Sequence, residues 1–236
     1  SAMYHPEAIK PNLDLIGVER VVLDEADEML DMGFREDIER ILDEAKYRKQ
    51  TLMFSATIPQ EIRKIAKNYQ NNPKFIKVAN KKQNVPKITQ YAFKTNHKHK
   101  FDDLLRLIEA YDIDSALIFS NTKKGVDFVF KNLKKRDYSA EAIHGDMSQK
   151  VRDKVMNKFR NGNVRFLVAT DVAARGLDIS NLDFIINYDV AQNYDSHIHR
   201  IGRTARAGSS GFAFTLVSKE DNINFNNIKN ASKGKI

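Results

Sequence analysis

With 236 residues, 42% hydrophobic and 30% charged, the chain is long enough for one large domain or two ordinary ones, too apolar for a disordered tail and too polar for a membrane span. The absence of Cys excludes disulfide scaffolds, thiolate nucleophiles and Cys-ligated metal sites, and suits a reducing compartment. No apolar run approaches the ~18 residues of a membrane helix, and the N-terminus lacks the basic-then-apolar pattern of a secretory leader, so the expected location is cytoplasmic.

In chain order, Val21–Leu23 is a short continuous apolar run, as expected of a strand buried on both sheet faces, and Asp24, Glu25 and Asp27 follow it at once. Glu28-Met-Leu can begin a helix, and Ile38, Ile41, Leu42 and Ala45 give a helical face at i, i+3, i+4, i+7. Leu52–Phe54 repeats the buried-strand pattern, with Ser55 and Thr57 after it and Pro59 suited to the first turn of the helix marked by Ile62, Ile65, Ala66 and Tyr69. Phe75–Val78 reads as a third strand. The polar stretch from 80 to 87 contains Pro86 and has no periodicity, so it reads as a linker.

Beyond the linker, Phe101, Leu104, Leu105 and Ile108 mark a helix, Ala116–Phe119 a strand followed by Ser120 and Thr122, and Val126, Val129, Phe130 and Leu133 another helix. The run His144-Gly-Asp-Met-Ser-Gln-Lys-Val-Arg152 supplies a glycine turn at Gly145, Ser148 as a helix N-cap, and Gln149 and Arg152 on one face of a helix that continues through Val155, Met156 and Phe159. Strands at Phe166–Ala169 and Phe184–Ile186 flank a loop with Thr170, Asp171, Arg175, Gly176 and Asp178. The tail after Asp221 reads as a frayed helix. Strands alternating with helices give an α/β fold with parallel sheets, whose ligands bind beyond the carboxyl ends of the strands. Residues 1–79 form one incomplete unit of three strands, and residues 88–236 a complete one with five or six strands and at least three helices.

Charge follows the same division. Residues 1–79 hold 12 basic and 14 acidic side chains, and residues 80–236 hold 27 and 17. The second part therefore carries the whole positive excess, the footprint of a phosphate-backbone binder or of a basic, well-solvated surface.

The carboxylates at 24 and 25 are placed either to cap a helix or to hold Mg²⁺ and orient an attacking water. The hydroxyls at 55 and 57 can equally cap the following helix. His199-Arg-Ile-Gly-Arg-Thr-Ala-Arg206 concentrates three guanidinium groups and an imidazole around a glycine, which suits stabilisation of charge on a transferring phosphoryl group. The loop at 169–178 can lay backbone N–H groups along phosphates.

DEAD at 24–27, SAT at 55–57, LIFSNTKK at 117–124, HGDMSQKVR at 144–152, ATDVAARGLDI at 169–179 and HRIGRTARAG at 199–208 occur in an order and spacing that closely resemble the DEAD-box RNA helicases over nearly the whole chain. The resemblance implies two RecA-like parallel-sheet units, the first truncated, that act on ATP and single-stranded RNA. It implies that Asp24 holds Mg²⁺ through water while Glu25 coordinates the ion and activates water. It makes Asp27, Ser55 and Thr57 couplers that meet His199, and Arg203 and Arg206 arginine fingers on the γ-phosphate. Gly176 and Asp178 would lie near the nucleotide, and Thr122, Gly145, Gln149, Arg152, Thr170 and Asp171 near the RNA backbone. Such contacts position RNA without reading its sequence.

The chain also departs from that pattern. None of its ten glycines stands five residues before a Gly-Lys pair, so the loop that cradles ATP phosphates is absent, and Ala205 replaces the more usual glycine. The expectation is an ATP-dependent RNA helicase fragment, inactive alone, whose first unit exposes a sheet edge and an apolar face. Other readings are a non-catalytic RNA-binding module and a DNA-directed translocase. No membrane partner is expected, and nothing in the pattern fixes an oligomeric state.

Overall fold

The computed structural model describes residues 14–77, 87–175, 177, 179, 182–204 and 210–232. The chain divides into two compact units, 1–79 and 80–236.

In the first unit, β1 (Arg20–Leu23) leads into α1 (Ala26–Asp31) and α2 (Arg35–Glu44), and β2 (Gln50–Met53) into α3 (Gln60–Tyr69). The two strands pair in parallel with Val22 opposite Leu52. The helical faces at Ile38/Leu42 and Ile62/Ile65 close over Leu23 and Ala26 to form the core, because each repeats its apolar residues on one side of the helix. Val22 and Phe54 remain 55% exposed. The strand expected at Phe75–Val78 is not formed over its described part, 75–77, where Phe75 and Ile76 are 67% and 82% exposed. An apolar run becomes a strand only where a neighbour accepts its backbone ladder, and these residues have no ladder partner among the described residues. Val78 lies outside them.

In the second unit the order is β3 (Lys87–Lys94), α4 (Lys100–Ala110), β4 (Ala116–Phe119), α5 (Lys123–Lys135), β5 (Ala140–Ile143), α6 (Gln149–Arg160), β6 (Phe166–Ala169), α7 (Asp171–Ala174), β7 (Phe184–Asn187), α8 (Tyr194–Ile201), β8 (Ser210–Val217) and α9 (Asn222–Ala231). Lys87, assigned to the linker on composition, opens β3 instead, and 80–86 lie outside the described residues. The sheet order is β3-β8-β7-β4-β6-β5, with every pair parallel.

Side-chain alternation along the central strands builds two layers. Ala116, Ile118, Phe166 and Val168 pack with α4 and α5 on one face. Leu117, Phe119, Leu167 and Ala169 pack with α6, α7 and α8 on the other. Helix α9 docks separately through Ile228 against Val190, Ala191 and Val217. Because β4 is flanked by β6 and β7, and β6 by β5, the loops leaving β4, β5, β6 and β7 emerge side by side at the carboxyl edge. Among the described residues no helix is long and apolar enough to cross a membrane.

Candidate functional site

At the end of β1, the carboxylates of Asp24 and Glu25 are both exposed. Asp24 Oδ1 accepts the Glu25 N–H at 3.0 Å. Glu25 has φ 49° and ψ 45°, the left-handed region that a β-carbon disfavours. Such conformations cost ~1–3 kcal/mol and collect at functional sites.

Asp27 turns inward. Its Oδ2 accepts the Thr57 N–H at 2.7 Å and the Thr57 hydroxyl at 2.8 Å, its own N–H donates to Ser55 Oγ at 3.2 Å, and the Ser55 hydroxyl donates to the Thr57 carbonyl at 2.5 Å. Burial pushes its carboxyl upward, but the hydrogen bonds from Thr57 and Ser55 outweigh it and hold the pKa below the ordinary value. Thr57 thus binds the Asp27 carboxylate and Ser55 its backbone N–H, instead of capping α3, whose N-terminus has no side-chain cap.

At the carboxyl edge of the second sheet, the sequence-predicted RNA-facing residues come together from three adjacent strands. Thr122 follows β4 and caps α5, accepting the Gly125 N–H at 2.9 Å. Thr170 follows β6 and caps α7, accepting the Ala173 N–H at 3.3 Å. Gly145 and Gln149 lie after β5, where Lys123 and Asp146 form an ion pair that joins this loop to the start of α5. Ser148 occupies the N-cap position of α6, but its hydroxyl makes no capping bond. Gln149 donates to Asp153 at 2.7 Å, and Arg152 donates to the Ala173 carbonyl at 2.9 Å, tying α6 to α7.

The carboxylate of Asp171 is held internally by Arg200, at 2.6 and 2.7 Å from Nε and Nη2. Arg200, 1% exposed, also donates to the Asp189 carbonyl and to Asn121 Oδ1, both at 2.6 Å, and its guanidinium lies 5.1 Å from the Phe119 ring centre. His199 and Arg203 flank it, Arg203 donating to the Leu177 carbonyl at 3.1 Å, and a small cleft is lined by Phe119, Asp171, Arg175, His199 and Arg203. Gly176, Asp178 and Arg206 lie outside the described residues.

Arg200, Asn121, Asp189 and Lys100 form a hydrogen-bonded network behind these loops, and the sequence patterns assign none of the four a role of its own. Asp189 is 3.0 Å from the Lys100 ammonium and accepts the Ser120 hydroxyl at 2.5 Å and the Asn121 N–H at 3.0 Å. Burial raises its pKa, and Lys100 with these donors brings it below the ordinary carboxylate value. Its position two residues beyond β7 is the signal that could have found it. A hollow of about 560 Å³ opens at the other end of the sheet by Ser115, Asp183 and Phe184, and none of these groups lines it.

Both units have counterparts among known proteins. Residues 4–65 match the DEAD/DEAH box helicase model, and residues 99–208 match the helicase conserved C-terminal domain. The chain is 48% identical over 224 residues to the DEAD-box ATP-dependent RNA helicase CshA of Geobacillus kaustophilus, covering 95% of this chain and 48% of that protein. It is similar to S. cerevisiae Dbp5 bound to RNA and ADP BeF3, with TM-score 0.76, 32% identity and coverage of 92% of this chain and 57% of that one. It is also similar to the E. coli DEAD-box protein SrmB bound to regulator of ribonuclease activity A, with TM-score 0.59, 32% identity and coverage of 61% and 86%. The chain spans about half the length of the curated relatives it matches.

Proposed function

This chain belongs to the DEAD-box helicase family, and on that premise we propose that it is part of an ATP-dependent RNA helicase that unwinds RNA duplexes locally. Residues 1–79 supply the later part of its first RecA-like domain, 80–86 a linker and 87–236, from the start of β3, the second domain. The observation that carries the reading is the convergence of the loops after β4, β5 and β6 on one sheet edge, within the unit that holds the positive excess.

In the first unit, the hard oxygens of Asp24 and Glu25 fit Mg²⁺, which takes one or two carboxylates beside water and phosphate and neutralises phosphate charge when bound. Glu25 is the group that withdraws a proton from water, and its left-handed backbone fixes where that carboxylate projects. Asp27, Ser55 and Thr57 form the coupling set, with His199 as its counterpart in the second unit. Arg203 and Arg206 stabilise charge on the γ-phosphate, and Gly176 and Asp178 serve the nucleotide. Thr122, Gly145, Gln149, Arg152, Thr170 and Asp171 receive the RNA backbone. We assign the protein to the cytoplasm on its cysteine-free composition.

No residues of this chain fit the phosphate cradle that tight ATP binding needs. The purified chain should therefore bind single-stranded RNA without measurable ATP turnover. Fluorescence polarisation with labelled RNA should show affinity falling by about tenfold or more between 50 and 200 mM salt, as counterion release requires. Salt-insensitive binding would sink the backbone-contact reading, and robust RNA-stimulated ATP hydrolysis would show the nucleotide site to be misassigned. Stronger binding to DNA of the same length would favour a DNA-directed translocase.

A further inference from the structure

Lys100 takes no part in the roles above, yet it is the most enclosed cation after Arg200 among the buried residues of the second unit. It opens α4, and its side chain is 5% exposed. The ammonium lies 3.0 Å from Asp189 Oδ1 and 3.0 Å from Asp221 Oδ2, with the Tyr188 ring centre 5.2 Å away. A buried ammonium is tolerated only when its charge and donors are matched in this way. Its partners join α4 to the end of β7 and to the cap of α9, where Asp221 also accepts the Ser218 N–H at 3.1 Å and the Ser218 hydroxyl at 2.7 Å.

Fastening three elements together would be an ordinary staple, but the second oxygen of Asp189 continues the network. It accepts the Ser120 hydroxyl and the Asn121 N–H, so the loop leaving β4 is anchored on a carboxylate whose rotamer Lys100 fixes from the other side. Asn121 donates to the Val190 carbonyl at 2.9 Å and accepts from Arg200, which grips Asp171. An unbroken series of charge-assisted hydrogen bonds therefore runs from Lys100 to the residue before Thr122 and to the residue after Thr170. The missing β-carbon of Gly125 preserves it, since one built there would clash with the Ser120 hydroxyl.

We propose that Lys100 is a positioning residue for RNA binding: by fixing the Asp189 carboxylate it sets the loop at 120–122 and, through Asn121 and Arg200, Asp171, so that Thr122 and Thr170 meet the RNA backbone together. The inference rests on the RNA-binding reading above.

The test uses the full chain, fluorescence polarisation with a labelled single-stranded RNA, and circular dichroism to establish that each variant is folded at the binding temperature. Lys100→Met removes the cation at similar length. Lys158→Met is the control, because it removes one equal charge from the same unit at the more exposed pair with Glu141. Folded Lys100→Met should bind about tenfold more weakly than Lys158→Met, the scale of one lost charge-assisted contact. Equal affinity of the two variants overturns the inference and leaves Lys100 a determinant of stability alone, with the RNA-binding reading intact.

If Lys100→Met does not fold, Ser120→Ala decides the matter. It keeps the buried ion pair and deletes one bond to the loop. A severalfold loss of affinity with an unchanged melting midpoint supports the inference, and unchanged affinity overturns it. Failure of the unaltered chain to bind RNA removes the functional reading and this inference together.

Discussion

Burial decides the charge state of His197. The residue is 3% exposed on α8, its Nε2 lies 2.8 Å from Gln90 Oε1 on β3, and Arg200 sits one turn along the same helix. Desolvation first and the Arg200 charge second press its pKa from 6.5 to about 4. In the unfolded chain the imidazole regains its ordinary value, so between pH 6.5 and 4 the unfolded state binds the extra proton. The contribution of neutral His197 is complete above pH 6.5 and is lost as pH falls toward 4. Asp27 and Asp189, with depressed folded pKa values, act with the same sign at lower pH: their stabilisation is present above the unfolded carboxylate range and is lost as acid protonates them. Denaturant titrations at pH 7 and pH 5 should show the second unit losing about 2 kcal/mol from His197 alone, and His197→Gln should lose correspondingly less. Equal losses in both proteins would mean that His197 is not the group that titrates.

The residues legible in the sequence were those whose chemistry depends on local position. Asp24 and Glu25 stand directly after the apolar run of β1, and Thr122 and Thr170 directly before helices. Arg200 was visible only as one of several arginines, because its role arises from side-chain hydrogen bonds to residues 11 to 79 positions away. The clamp on Asp171 and the anchor at Asp189 are tertiary facts of that kind.

The same distinction holds for elements. Helices α2 to α6 were readable because each buries one face and so repeats its apolar residues at helical spacing, and β4, β6 and β7 because central parallel strands are apolar on both faces. β8 escaped notice although it is buried along most of its length, because Gly211 and Thr215 interrupt the apolar run. Gly211 has a packing reason: a β-carbon there would overlap the Thr204 side chain, whose hydroxyl donates to the Leu182 carbonyl. Since β8 lies between β3 and β7, neither backbone can yield freely. Gly211→Ala should destabilise the second unit by about 1–3 kcal/mol, as overpacking does, measured by denaturant unfolding. Adding Thr204→Ala should recover part of that loss because the two sites are in contact. Full additivity would show that the clash is relieved by some other movement.

At the scale of the whole chain, the two units differ in how completely their sheets are covered. Among its described residues the second has six strands with helices on both faces and fully buried residues on β4 and β6. Among the described residues, the first has a two-stranded parallel sheet and a clustered core of six buried apolar residues, with Val22, Phe54, Phe75 and Ile76 each more than half exposed. A parallel pair with one face open gains little from burial to offset the entropy of ordering its crossover helices. The first unit should therefore open at a lower free energy than the second and populate cleavable states more often. Limited proteolysis of the full chain, followed by mass spectrometry, should remove residues from 1–79 first and leave a resistant product that begins near β3. A product that retained the first unit while the second was digested would contradict this. It would also mean that exposed Val22, Phe54, Phe75 and Ile76 are compensated by contacts stronger than a six-residue core supplies.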